Sequence, residues 1–199
     1  MGQYYNIAFS DADGQHTTIT DRQVEGADDY VFAKLMEFCW WETPTSLSLL
    51  TILNRRPSRI LVLGDYAEHW ELPTSYNCPS YAEMWNRAGD YSKLPAPDED
   101  LDITGKYFVN HTKKVFFGVD EYLKSSSKKY SWSEGAMVIN PIILLCAIGN
   151  GEGSGDYDYH DPVNKELVGT WAWDELQIMD EIPPTYQHVD VEFYENYKY

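Results

Sequence analysis

The strongest constraint on the fold is an order of elements that occurs twice along the chain. The segments "GQYYNIAFSDADGQHTTI", from Gly2, and "GKYFVNHTKKVFFGV", from Gly105, both read as two short strands around a polar turn. Apolar segments follow, "LSLLTIL" and "IILLCAI", and each half ends in a further candidate strand, "RPSRILVLGDY" and "WAWDELQIMDEI". Because the order agrees and the offset stays near ~100 residues, the pattern indicates two small related units rather than a solenoid.

This pattern predicts an α+β fold with internal duplication, in which two related β-hairpin, helix and strand units carry mixed or antiparallel sheets. The first unit covers residues 1–91, and the second, with the glycine-rich loop and an acidic tail, covers residues 103–199. Between them, residues 92–102 end in the acidic run "PDEDLD" and read as a linker. One compact domain is an alternative, and so is a chance recurrence of common elements.

Local patterns predict the type of most elements. Asp13 and Gly14 suit the positive φ of a tight hairpin turn. Residues 28–41 place apolar side chains at spacings of three and four, as in an amphipathic helix. The run "SRILVLG" predicts a buried strand, whereas the periodicity of "LSLLTIL" does not distinguish a helix from a strand. The alternating stretch "HVDVEFY" predicts an edge strand or a partner-binding arm.

The charge balance limits the classes of partner. The net charge is −17, from 15 Lys+Arg against 32 Asp+Glu. This excess disfavours direct binding to a nucleic-acid backbone, which needs clustered positive charge. It also attracts basic surfaces, including those by which other proteins hold nucleic acid. A solvated acidic face with no partner is the alternative interpretation.

Cysteine usage and hydropathy indicate a cytoplasmic protein. The 3 cysteines form no CxxC pair, and their apolar settings indicate reduced thiols. The first residues lack the basic start and the long apolar core of a signal peptide. The longest apolar run, residues 138–148, is too short to span a bilayer. We therefore expect no membrane association.

The glycine-rich stretch "GNGEGSGDYDYHD", residues 149–161, is the first candidate site. Its candidate metal ligands are Glu152, Asp156, Asp158 and Asp161. Glycines let the backbone bend so that these carboxylates converge, and such oxygens suit Ca²⁺, although their spacing is not that of an EF-hand. A flexible surface turn with solvated acids is the alternative. The acids disfavour phosphate binding, and the Lys-Ser/Thr of a P-loop does not follow.

The second candidate site is the acidic, tyrosine-rich C-terminal quarter. Carboxylates spaced over a surface can imitate a row of phosphates, and tyrosines add contact area to an interface. The residues predicted to contact a partner are Tyr157, Asp158, Tyr159, Asp190, Glu192, Tyr194 and Glu195. Neither an HExxH motif nor a GxSxG elbow is present, so no catalytic residue is assigned.

Four short segments carry a resemblance to a known family. They are the opening "MGQYY", the loop residues Gly149, Asn150, Gly151, Gly153, Gly155 and Asp156, the "WA-D" residues Gly169, Trp171, Ala172 and Asp174, and the "GDYA" residues Gly64, Asp65, Tyr66 and Ala67. Together they resemble a group of small phage and bacterial proteins that open with MGQYY and carry GNG-x-G-x-GD, GsWAgD and GDYA elements. Here the first half lacks the glycine loop and the second lacks GDYA, so a site that needs both would form between the halves. The resemblance implies a phage or prophage origin and no particular activity.

These features favour a non-enzymatic interaction protein that binds a basic host protein. A host protein that handles nucleic acid fits best, and the chain would then act as a nucleic-acid mimic or an inhibitor of host defence. Two alternatives stay open. One is a cation- or small-ligand-binding protein, an enzyme among the options, that uses residues 149–161. The other is a structural protein of a phage particle. No cofactor is expected apart from the candidate Ca²⁺.

Overall fold

The computed structural model describes residues 2–21, 23–27, 34–75, 77–86, 92–127, 138–157 and 163–194. Within these ranges the fold is α+β, as predicted. The strands are β1 (Tyr5–Asp11), β2 (Thr18–Thr20), β3 (Ser58–Gly64), β4 (Tyr107–Asn110), β5 (Val115–Gly118), β6 (Ala147–Ile148), β7 (Glu175–Met179) and β8 (Gln187–His188). The helices are α1 (Leu35–Phe38), α2 (Pro44–Arg55), α3 (Tyr81–Asn86), α4 (Val119–Ser127) and α5 (Pro141–Leu145), and 3-10 turns lie at His69–Glu71 and Lys165–Leu167.

The described strands form one mixed sheet in the order β2-β1-β3-β7-β4-β5-β8, with β6 beside β3. The pairs β3–β6 and β5–β8 are parallel, and the others are antiparallel. Strand β3 pairs with β1 over its full length. On its other side, Ser58 and Arg59 pair with β7, whereas Val62 and Leu63 pair with β6. Strand β7 therefore pairs only with the first residues of β3, and the short strand β6 takes its place beside the C-terminal part of β3.

Both predicted hairpins are confirmed, because β1–β2 and β4–β5 are antiparallel pairs. In each half, the first hairpin strand also pairs antiparallel with the strand that ends the half, β3 or β7. Since β3 and β7 are neighbours, strands from both predicted units belong to one sheet. If β6 and β8 are left aside, the two ends of the sheet have the same order of elements. Each has the second hairpin strand at the edge, then the first hairpin strand, then the strand that ends that half: β2-β1-β3 at one end and β5-β4-β7 at the other. Duplication itself and the unit boundaries stay predictions.

Helix α2 is the apolar segment whose type the periodicity left open. Thr43 caps its N-terminus by accepting the N–H of Ser46 at 3.3 Å, and Pro44, which has no N–H to satisfy, occupies the first turn. The matching segment of the second half begins in the same way, with Asn140 as the cap and Pro141 after it. It then continues as α5 followed by the two-residue strand β6, so it forms both kinds of element.

The two faces of the sheet bury different elements. Tyr5, Ile7 and Phe9 of β1 belong to the main core, together with buried residues of α2 and α5. Ala8 of β1 and Met84 of α3 belong to a smaller cluster. Because successive residues of a strand point to opposite faces, this division places α2 and α5 on one face and α3 on the other. Cover on both faces explains why β3 reads as a continuous apolar run.

The structure describes all or part of three further segments for which the sequence predicts a linker, a helix and an edge strand or arm. Residues 92–102, predicted to be a linker, lie along α2: the Ser48 hydroxyl donates to the carbonyl of Pro95 at 2.7 Å. Of the helix predicted over residues 28–41, the structure describes α1, and residues 28–33 lie outside the described residues. As far as residue 194, where the described part of the tail ends, ladder pairing is limited to β8, which joins the edge strand β5.

Candidate functional site

The glycine-rich loop folds around one of its own carboxylates. Asp156 is fully buried, and its Oδ2 accepts the backbone N–H groups of Gly151, Glu152 and Gly153 at 3.1, 3.1 and 2.9 Å. Its Oδ1 accepts the hydroxyl of Tyr5 at 2.9 Å. Successive amides that point at one anion form a nest, the device of phosphate-binding loops. Here the anion is a side chain of the same loop, so the glycines serve an internal contact.

Burial and hydrogen bonding act on Asp156 in opposite directions. Burial raises the pKa of this carboxyl above its ordinary value, whereas the three loop amides and the Tyr5 hydroxyl lower it. Burial also raises the pKa of Tyr5 well above its usual range, and the charge of Asp156 adds to that shift. Tyr5 is therefore a neutral donor to the carboxylate at physiological pH.

Three of the segments that carry the family resemblance meet at Gln3. This residue is fully buried and lies against Gly64 of the "GDYA" segment and against Gly149 and Gly153 of the loop. A Cβ added to Gly153 would lie 2.6 Å from the Cβ of Gln3, and one added to Gly149 would lie 2.8 Å from its Nε2. Larger residues would force these segments apart. Elements that the sequence divides between two halves are thus in direct contact.

Two of the four predicted metal ligands belong to the described residues. Glu152 is exposed, and Asp156 is surrounded by donors of its own chain, which leaves its oxygens little capacity to bind a cation. Asp158 and Asp161 lie outside the described residues. The Ca²⁺ site therefore depends on Glu152 and on residues outside these ranges, and it stays a prediction.

The predicted partner-binding tyrosines that the structure describes have internal contacts. Tyr157 is fully buried, its ring lies edge-on to Phe193 with centroids 5.5 Å apart, and its hydroxyl accepts the N–H of Tyr194 at 2.9 Å. Tyr157 thus holds the C-terminal segment against the loop rather than forming an accessible surface. Three further residues of this prediction, Asp158, Tyr159 and Glu195, lie outside the described residues.

Asp190 and Glu192 line a groove between α4 and the C-terminal segment. It has a volume of about 210 Å³ and is lined by Phe117, Gly118, Glu121, Tyr122, Ser125, Val189, Asp190, Val191 and Glu192. Phe117, Tyr122 and Val191 are buried and give it an apolar floor. Glu121 and Asp190 are exposed at its rim. We call this feature the acidic groove.

His188 of β8 lies between two carboxylates of the acidic groove. Its Nε2 is 2.9 Å from Oε2 of Glu121, and its Nδ1 is 3.9 Å from Oδ1 of Asp190. One potential ligand atom of each residue lies within 4.8 Å of the other two, and all three residues are exposed. One nitrogen and two carboxylate oxygens suit a divalent transition metal. The excess of carboxylates equally suits a cationic side chain of another protein.

A second surface lies outside the two sites that the sequence predicts. It contains the exposed aromatic residues Tyr4, Tyr66 and Trp70, of which 49, 38 and 69 % is accessible. The N–H of Tyr4 donates to the carboxylate of Asp65 at 3.0 Å, so Tyr4 lies against the residue that precedes Tyr66. The available signal was "DYAEHWE", where aromatic residues alternate with acids directly after a buried strand. The aromatic–acidic surface is defined here as Tyr4, Asp65, Tyr66, Glu68, Trp70 and Glu71.

No protein-family model matches the sequence, and no curated protein or solved structure matches it. The resemblance to the MGQYY family therefore stays a prediction. Across the described ranges, none of the helices combines the length and the apolar character needed to cross a bilayer.

Proposed function

We propose that this chain is a non-enzymatic protein-binding protein whose acidic groove receives a basic side chain of another protein. The observation that carries this proposal is the groove itself, in which an apolar floor lies beside Glu121, Asp190 and Glu192. Lysine and arginine have an aliphatic stem and a cationic head, so they match both parts. The net charge of −17 would also speed the approach of a basic surface.

The proposed partner is a basic bacterial protein that handles nucleic acid. Sites that hold a phosphate backbone carry clustered lysine and arginine, which is the surface that an acidic chain recognises best. Occupation of such a site would exclude nucleic acid and would inhibit the partner. A phage or prophage origin and a cytoplasmic location belong to the same proposal and rest on the sequence alone.

Site-specific cross-linking tests the groove directly. A photo-reactive amino acid replaces Ser125, which lines the groove, and the protein is irradiated in a bacterial extract at increasing salt. We expect one basic protein to be cross-linked, with a yield that falls as salt screens the interaction. The substitutions Glu121→Gln, Asp190→Asn and Glu192→Gln, made together, should abolish this product.

A matched control variant distinguishes the effect of the groove carboxylates from the effect of net charge. Glu25→Gln, Glu99→Gln and Asp100→Asn remove the same charge from exposed positions outside the groove lining. This variant should retain the cross-linked product. Equal loss in both variants would mean that overall charge alone attracts the captured protein. Equal retention would mean that the groove carboxylates play no part, and either result contradicts the proposal.

A divalent cation is the second candidate ligand, favoured by the convergence of Glu121, His188 and Asp190. A histidine nitrogen suits Zn²⁺ better than Ca²⁺. If the ion binds the native state, Zn²⁺ raises the melting temperature relative to chelator, and His188→Gln removes the rise. A rise with Ca²⁺ that survives His188→Gln would instead support the loop at residues 149–161. No rise with either ion contradicts cation binding.

A further inference from the structure

The aromatic–acidic surface is separate from the acidic groove in the fold. Its parts follow β3 and precede β1, whereas the groove lies beside β5 and β8. In the sheet, β3, β7 and β4 lie between β1 and β5, so the two features belong to different regions. The function proposed for the acidic groove therefore does not explain the aromatic–acidic surface.

Exposed aromatic residues are concentrated at this place. Single exposed hydrophobic residues are common and need no explanation, but a Trp that is 69 % exposed, four positions after the exposed Tyr66, is a different case. Tryptophan and tyrosine are the residues that most often dominate the binding energy of protein interfaces.

The local structure fixes Trp70 in an accessible position. It lies on the 3-10 turn His69–Glu71, where the Glu71 carboxylate accepts the N–H of Glu68, and its ring meets that of His69 edge-on with centroids 4.9 Å apart. The N–H of Asp65 donates to the carbonyl of Tyr4 at 2.9 Å, so the segment that leads into the turn lies against the residue before β1. A turn closed by its own hydrogen bonds has less conformational freedom to lose on binding than an open loop.

The charge of this surface is of one sign. Residues 60–86 contain Asp65, Glu68, Glu71 and Glu83 but neither Lys nor Arg. A cation from another part of the chain, Lys34, has its side chain packed against Gly2 and Gly155. Aromatic faces attract cations, and nearby carboxylates strengthen that attraction. A partner of positive charge therefore complements this surface better than an apolar or acidic one.

We propose that the aromatic–acidic surface binds an arginine-containing segment of another protein, with a guanidinium over the ring of Trp70 and paired with Glu68 or Glu71. Arginine fits better than lysine because its planar group stacks on aromatic rings and pairs with a carboxylate through two hydrogen bonds. The contact does not depend on the acidic groove, and it gives the chain a second attachment point for a basic partner.

Three labelled peptides test this inference: one that alternates arginine and serine, and its lysine and citrulline versions. We expect the arginine peptide to bind most tightly to the purified full chain and the citrulline peptide, which is uncharged, to bind most weakly. Trp70→Ala should weaken arginine-peptide binding about tenfold. Glu68→Gln with Glu71→Gln, which keeps an oxygen to accept the hydrogen bonds of the turn, should also weaken it.

Two controls make the result decisive. Circular dichroism checks that Trp70→Ala folds, and the variant with three neutralised groove residues should bind the arginine peptide within about twofold of wild type if the surfaces are independent. Equal binding of arginine and citrulline peptides, or an unchanged affinity in Trp70→Ala, overturns the proposal. The proposal is also overturned if the chain self-associates and Trp70→Ala abolishes this self-association, since the surface would then bind a second copy of the chain. Failure of the groove cross-linking experiment leaves these measurements unaffected.

Discussion

The glycine-rich loop and the acidic groove both contain clustered carboxylates and use them in opposite ways. In the loop, Asp156 is buried and accepts hydrogen bonds from three backbone amides and from Tyr5. In the groove, Glu121 and Asp190 are exposed and flank His188. The loop carboxylate stabilises the fold, whereas the groove carboxylates are accessible to a partner. Composition does not separate these roles; the donors around each carboxylate do.

The largest effect expected from this difference is on stability. Asp156→Ala would leave the amides of the nest and the Tyr5 hydroxyl without their acceptor, so we expect the free energy of unfolding to fall by about 3 kcal/mol or more. Glu152→Ala, in the same loop but exposed, should change it by less than about 0.5 kcal/mol. Urea unfolding followed by circular dichroism measures both. Similar losses of unfolding free energy in the two variants would contradict the view that the buried Asp156 stabilises the fold and the exposed Glu152 does not.

A steric substitution in the loop has the next largest effect. Gly153→Ala places a Cβ 2.6 Å from the Cβ of Gln3, and we expect a loss of about 2 kcal/mol because the packed segments must move apart. Gly105→Ala is the control: its Cβ meets nothing within 4 Å, and its φ of +71° alone should cost about 1 kcal/mol. If Gly105→Ala is the more destabilising, the contact with Gln3 is looser than described.

Local pattern was sufficient for much of the fold. The hairpin strands and β3 have aromatic or β-branched residues next to turn residues, and both signals act over a few positions. The apolar segment that became α2 was ambiguous, because its helical start depends on Thr43 and Pro44, which lie outside the apolar run. Strand β8 is shorter than the alternation suggested, since its pairing with β5 depends on tertiary position.

The candidate sites were harder to predict because they join distant residues. Asp156 and Tyr5 are 151 positions apart, and His188 and Glu121 are 67 positions apart. Nothing in the spacing of these residues specifies that they meet. The charge of Asp190 and Glu192 predicts a partner contact and both line the groove, but charge alone does not distinguish Glu121 from other acidic residues. The acidic neighbours of Tyr157 predict an interface residue, although a large aromatic residue is equally suited to the core.

A smaller effect separates the core role of Tyr157 from a partner-binding role. Tyr157→Phe removes the hydroxyl that accepts the N–H of Tyr194, so the free energy of unfolding should fall by about 1 kcal/mol. Partner cross-linking at Ser125 should not change, because the ring is fully buried. Thermal and urea unfolding measure the first quantity. A loss of cross-linking without a loss of stability would show that Tyr157 reaches the partner.

The smallest effect on stability is expected in the acidic groove. Neutralising Glu121, Asp190 and Glu192 removes two exposed charges and one half-buried charge, and exposed contacts such as that between His188 and Glu121 contribute little, so the change should stay within about 0.5 kcal/mol. A small gain is the expected sign at low salt, because the net charge of −17 decreases in magnitude and repulsion within the chain weakens. That gain should disappear when salt screens the repulsion. A loss as large as that of Asp156→Ala would mean that these carboxylates also hold the fold together, and the contrast between the loop and the groove would fail.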